Sequence, residues 1–187
     1  CFWDTPQVEL SGKVMGILGF GTIGRRVAEL AHAFGMKVIA YDPYIRQETV
    51  KPYGVTLVSK DELLECSDFI SMHLLLNEDT RKSINADFFK KMKKSAIFIN
   101  TGRGGLVDEE ALIEALRTGE IAGAGLDVLT AEGIDRDAPL QKFDNVIITP
   151  HAAWYSEEAF NTLLTSAAQE VVRALHGEPV KNQVNKF

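Results

Sequence analysis

Gly16-Ile17-Leu18-Gly19-Phe20-Gly21-Thr22-Ile23-Gly24 decides how this chain folds. Residues 14–19 are an uninterrupted apolar run ending in glycine, which reads as a strand buried on both faces. From Thr22 the period changes. Ile23, Val27, Leu30 and Phe34 recur at helical spacing, an apolar stripe of the kind that faces a core, and Gly35 stops the helix. Residues 37–41 form a second strand, closed by the turn Asp42-Pro43. Strand, tight turn, helix and strand make the first half of a βαβ unit.

The same alternation runs outward to the C-terminus. Ser59 with Glu62 is a capping box opening a helix over 60–65, and 69–75 is a strand. Residues 85–92 read as a helix and 96–100 as a buried strand. Asp108 caps a helix through Glu110, Leu112 and Leu116 that Gly119 ends. Strands follow at 122–128 and 146–149, and Ser156 opens a long helix reaching His176. Residues 133–139 are acidic and aperiodic, a surface loop. Short strands separated by helices imply an α/β protein, a Rossmann-type doubly wound parallel sheet with helices on both faces.

Composition narrows the function classes. A chain of 187 residues, 45% hydrophobic and 25% charged, supports one sizeable domain, and no stretch is long enough to span a bilayer. The net charge of −6 argues against nucleic acid as a partner, since phosphate binding needs a concentrated positive surface. The basic run Lys90-Lys91-Met92-Lys93-Lys94 reads as the solvated end of a helix, the pole that favours cations. Cys1 and Cys66 form no CxxC pair, which fits a reducing cytoplasm, and no metal ligand set stands out.

A GxGxxG pattern alone says little, because glycines gather in turns for many reasons. Here it follows a strand, opens a helix, and is answered by an acid, Asp42, 18 residues past Gly24. Each glycine then has a purpose. Gly19 permits the turn, Gly21 lets the backbone approach a pyrophosphate, and Gly24 lets helix and sheet pack closely. The pyrophosphate rests on the amides of Thr22 and Ile23 and on the positive pole of the new helix. Asp42 accepts from the adenosine ribose hydroxyls and repels a 2′-phosphate, which favours NAD over NADP. The nearby Arg46 is of the kind that pairs with such a phosphate. The bland alternative is a glycine turn followed by an Asp that only starts a turn. The same fingerprint serves methyltransferases and flavin enzymes, so it does not name the chemistry.

Five further segments, in order along nearly the whole chain, carry a likeness. They are Leu10-Ser11-Gly12-Lys13 leading into the glycine turn; Tyr41-Asp42-Pro43; Asn100-Thr101-Gly102-Arg103-Gly104-Gly105-Leu106-Val107-Asp108; Gly125-Leu126-Asp127-Val128; and Thr149-Pro150-His151-Ala152. Read together, the chain resembles the D-isomer-specific 2-hydroxyacid dehydrogenases. The resemblance implies hydride transfer between NAD and a D-2-hydroxy acid, with Arg103, Glu132 and His151 as the catalytic set. Arg103 grips the substrate carboxylate and His151 is general acid and base. Glu132 hydrogen-bonds His151, Asp127 orients the nicotinamide, and Thr101 and Gly102 stand with the cofactor. Without the likeness, a surface ion pair is the plain alternative for Arg103, though an Arg beside Gly104-Gly105 at a strand end is an odd structural choice, and His151 after Pro150 is left open between a loop histidine and a catalytic one.

Some residues depart from the family pattern. Gly133 follows Glu132 where Pro is typical, Leu76 stands for the Pro of a His-Leu-Pro pattern, and Gly102 replaces Ala or Ser. His73 reads as a packed or cleft-edge histidine. His151 to Glu157 and the tail from Lys181 also resemble the C-terminal-binding protein branch, whose members are NAD-responsive corepressors. Trp154 then either packs against substrate or anchors the start of the last helix. The resemblance further implies a homodimer paired through this domain, residues 107–116 included, and a second domain. On that reading residues 1–187 are a cofactor domain cut from a longer protein. Residues 1–12 are the end of an inter-domain connection and 177–187 a tail toward the substrate domain, and the chain alone is expected to turn over little.

Overall fold

The computed structural model describes residues 8–131, 138–181 and 183. Two compact units result, Cys1–His151 and Ala152–Phe187. The first carries seven strands: β1 (Val14–Leu18), β2 (Lys37–Tyr41), β3 (Thr56–Leu57), β4 (Phe69–Met72), β5 (Ile97–Asn100), β6 (Gly123–Leu126) and β7 (Val146–Ile148). They form one sheet in the order β3-β2-β1-β4-β5-β6-β7, with every pairing parallel. The helices are α1 (Thr22–Ala33), α2 (Gln47–Val50), α3 (Lys60–Cys66), α4 (Ala86–Lys91) and α5 (Glu109–Thr118).

Alternation along the strands divides the apolar residues between two cores. Ile17, Val38 and Ala40 pack with Ala28 and Ala31 of α1. Leu18, Ile70, Met72 and Phe98 pack with Leu63 of α3, Phe88 and Phe89 of α4 and Leu112 of α5. Helices therefore cover both faces, as the doubly wound reading requires. Phe88, Phe89 and Phe98 meet edge to face with centroids 5.5–6.1 Å apart, each contact worth roughly 0.5–1.5 kcal/mol beyond its burial.

The face that α1 buries is not the one its periodicity suggests. Ile23, Leu30 and Phe34 are 65%, 47% and 62% exposed, whereas Gly24, Ala28 and Ala31 are buried. The cause lies at Gly24, where an added Cβ would sit 2.4 Å from the Gly19 carbonyl oxygen. The helix approaches the strand so closely that small residues fill the contact; of the expected stripe Val27 still packs at its edge, while Ile23, Leu30 and Phe34 turn outward. The caps also differ in kind. Ser59 and Asn85 accept from the N–H groups of Glu62 and Phe88. Asp108 makes no side-chain cap bond and is held through its backbone, its N–H donating to the Ile84 carbonyl. Gly119 ends α5 in the left-handed region at φ +70°, as expected.

Strands β4 and β6 end earlier than their composition suggests, at Met72 and Leu126. The register aligns Tyr41, Leu18, Met72, Asn100, Leu126 and Ile148 in one row across the sheet, so six strands stop at one level. The apolar residues beyond that row become walls of a crevice instead of ladder rungs. The strand order reverses between β1 and β4, the place where open α/β sheets bind ligands. In the second unit, α6 (Glu157–Leu175) is capped by Ser156, which accepts from the Ala159 N–H. Among the described residues no helix is long and apolar enough to cross a membrane.

Candidate active site

The glycine turn leaves β1 at the row of strand ends. Gly19 has φ +89°, and a Cβ there would lie 2.7 Å from the His73 carbonyl oxygen, so both conformation and space demand glycine. At Gly21 the situation is opposite, with nothing within 4 Å of an added Cβ. That open side faces the uncapped start of α1, where no side chain satisfies the first amides. The Asp42 carboxylate accepts from the Phe20 N–H at 2.9 Å and from the Tyr44 N–H at 3.0 Å. It therefore pins the glycine turn and starts its own turn at once, and each oxygen keeps a lone pair for a hydroxyl. Arg46 is exposed at the residue before α2.

Beyond β4 the chain forms the wall of a cavity of about 390 Å³ lined by Ile23, His73, Leu74, Leu75, Leu76, Thr101, Gly102 and Arg103. His73 Nε2 lies 2.9 Å from Ser71 Oγ, and burial pushes the His73 imidazole down to about 4. The histidine is thus neutral and packed at the cavity edge. Unfolding returns it to an ordinary histidine, so the unfolded chain binds the extra proton between pH 6.5 and 4. Stability from this group is full above pH 6.5 and falls as pH drops through that window, by about 3 kcal/mol in total. His73→Gln should flatten this limb of a melting-temperature against pH curve relative to the unsubstituted chain. Parallel curves for the two proteins would refute the assignment.

A second cavity of about 320 Å³ adjoins it, lined by Arg103, Gly104, Asp127, Val128, Leu129, Ala131, Ile148, Thr149, Pro150 and His151. Arg103 lines both cavities. Its side chain is exposed, with Nη1 donating to the Gly102 carbonyl at 2.7 Å. Asp127 is buried just past β6; its carboxylate accepts from the Thr149 hydroxyl at 2.5 Å, and its N–H donates to the Asn100 carbonyl at 3.0 Å. His151 holds φ +55°, a left-handed backbone that costs a non-glycine residue roughly 1 kcal/mol. Its N–H secures that conformation by donating to the Asp127 and Thr149 carbonyls at 2.9 and 3.0 Å.

Gly104 explains how the loops interlock. A Cβ there would lie 2.0 Å from the Leu129 carbonyl oxygen and 2.6 Å from the Thr130 nitrogen. The loop after β6 crosses directly over the residue beside Arg103. At Gly102 the nearest atom would be 3.4 Å away, so packing does not force the glycine that stands for Ala or Ser. Leu76 packs against Gly105, whose Cβ would meet it at 3.1 Å.

Of the residues singled out from sequence, the structure brings Arg103, Asp127 and His151 to one cavity, and Ile23, Thr101, Gly102 and Arg103 to the other. Glu132 lies outside the described residues, although its neighbour Ala131 lines the Arg103–His151 cavity. Trp154 belongs to the second unit, where its ring meets Tyr155 edge to face at 5.5 Å. Sequence reasoning gave no role to Ser71, Asn100 or Thr149. The available sign was a polar residue ending or interrupting an apolar strand.

Residues 3–153 match the family described as D-isomer specific 2-hydroxyacid dehydrogenase, NAD binding domain. The chain belongs to that family. As a 2-hydroxyacid dehydrogenase NAD-binding domain it is similar to a hydroxypyruvate reductase of Blautia hydrogenotrophica, 43% identical over all of this chain and 57% of the relative. It is 44% identical to a D-3-phosphoglycerate dehydrogenase of Methanocaldococcus jannaschii, over 98% of this chain and 36% of the relative. Among solved structures, D-lactate dehydrogenase with NAD+ from Lactobacillus jensenii superposes with a TM-score of 0.88 at 36% identity, covering 97% of this chain and 58% of that one. The domain thus spans from about a third to somewhat over half the length of these relatives.

Proposed function

We propose that this domain holds NAD along the glycine turn and supplies the cofactor half of an enzyme interconverting a D-2-hydroxy acid and its 2-oxo acid. The observation carrying this reading is that Arg103 lines two adjoining cavities, one beginning at the glycine turn and the other holding His151. When bound, NAD supplies the hydride acceptor at its nicotinamide ring. The chain's own residues do the rest. Amides of Thr22 and Ile23 hold the pyrophosphate against the open side of Gly21, and Asp42 accepts from the ribose hydroxyls. Asp127, fixed by Thr149, orients the nicotinamide end.

Arg103 holds the substrate carboxylate through a paired hydrogen bond, placing the substrate oxygen toward His151. His151 takes the proton from the hydroxyl on oxidation and returns it on reduction. Glu132, by the family likeness, orients that imidazole. A hydroxypyruvate reductase and a D-lactate dehydrogenase among the relatives make small 2-oxo acids the first substrates to try. The relatives found favour this enzymatic reading over a corepressor-like NAD sensor. A homodimer in the cytoplasm is part of the proposal, supported by the family likeness and by cysteine usage.

Gly21→Val tests the cofactor site cleanly, because the added Cβ has no other atom within 4 Å of it. NADH titration should show roughly 100-fold weaker binding, with a melting temperature within about 2 °C of the parent. Unchanged NADH affinity would sink the proposal. Turnover is tested on the intact protein with a panel of 2-oxo acids and either NADH or NADPH.

A further inference from the structure

Asn100 ends β5 and is 1% exposed, one of four buried polar or charged residues among those described. Its side chain clasps the loop that follows from both ends. Oδ1 accepts from the Gly102 N–H at 3.0 Å, and Nδ2 donates to the Arg103 carbonyl at 3.1 Å. These are the peptide groups on either side of the Gly102–Arg103 pair, so the direction in which Arg103 leaves the backbone is set by one buried amide. The main-chain oxygen of Asn100 also accepts from the Asp127 N–H at 3.0 Å, tying the opposite wall to the same residue.

The need for such a clasp follows from the loop's composition. Arg103 is flanked by Gly102 on one side and Gly104-Gly105 on the other, residues with the greatest backbone freedom of any. Among the described residues the only hydrogen bond of its guanidinium is local, to the Gly102 carbonyl. A long cation on a glycine-rich loop would lose much conformational freedom on gripping a carboxylate, which weakens the grip. Asn100 removes that freedom beforehand.

We propose that Asn100 is a positioning residue for Arg103, setting affinity for the substrate carboxylate far more than affinity for the dinucleotide. This rests on the functional reading given above. Asn100→Asp is nearly isosteric. It keeps the oxygen that accepts from Gly102 but sets a second oxygen against the Arg103 carbonyl, where an amide donated.

In the intact protein, Asn100→Asp should raise KM for the preferred 2-oxo acid roughly 10- to 100-fold, with NADH affinity within about 3-fold. In an Arg103→Ala background the same substitution should add less than about 3-fold, because the group it positions is gone. Additive effects, or equal losses for NADH and oxo acid, would show a merely structural asparagine and overturn the proposal. If the unsubstituted protein turns over no 2-oxo acid, the functional reading falls separately. Amide exchange in Asn100→Leu then decides the clasp. The Gly102 N–H should exchange at least about 10-fold faster while the Ile99 N–H stays protected, and unchanged exchange at Gly102 would refute it. Should that variant not fold, the same exchange measured in Asn100→Ser, which keeps a hydroxyl but loses the reach, serves in its place with the same two outcomes.

Discussion

Gly104→Ala should cost the domain about 3–5 kcal/mol, the upper range for a single methyl group. The methyl carbon would be placed 2.0 Å from the Leu129 carbonyl oxygen. The obstacle is backbone, not the end of a flexible side chain, so relief requires moving the whole loop after β6 or the loop bearing Arg103. A melting temperature lower by roughly 10 °C is the expected readout for a domain of this size. Gly105→Ala is the matched control. Its methyl would meet Leu76 Cδ2 at 3.1 Å, a side-chain tip that can swing away, and the cost should stay below about 1.5 kcal/mol. Equal melting temperatures for Gly104→Ala and the parent would show that the two loops do not cross as described.

His151→Asn should reduce kcat of the intact enzyme by about 100- to 10,000-fold, the span usually lost with a general acid–base group. NADH affinity should move less than about 3-fold, since the residue stands at the end away from the glycine turn. Asparagine is the informative choice because it tolerates the left-handed backbone better than most residues other than glycine, and His151 holds φ +55°. Loss of activity then reflects the missing imidazole and not a displaced loop. A variant retaining more than a tenth of kcat would remove His151 from the proton-transfer role.

The parts legible in sequence were those whose physical requirement is local. Gly19 needs a positive φ and space beside it, and both demands are written in one residue type. The βαβ alternation and the strand that ends at Asn100 follow from short-range periodicity. The buried face of α1 was not legible, because it depends on how closely Gly24 lets the helix approach β1. The two-residue strand β3 is too short to carry a period at all. Among candidate site residues, Arg103, Asp127 and His151 stood out through the motifs they share with the family. Thr149 did not, since its partner Asp127 arrives from a loop 22 residues away; Asn100 did not, since its side chain closes on Gly102 and Arg103 in an irregular loop that carries no periodicity.

Asp42 carries one more consequence. Its carboxylate holds the Phe20 amide, and on the proposed reading the same carboxylate discriminates against a 2′-phosphate. Cofactor preference and the shape of the phosphate cradle therefore share a single side chain. Redesign toward NADP by neutralising residue 42 would loosen the cradle at the same stroke. A successful redesign must leave an acceptor behind, as serine would, and recruit the positive charge elsewhere, with Arg46 the nearest candidate along the chain. Selectivity in this domain is inherited together with architecture, and the two must be exchanged as a set.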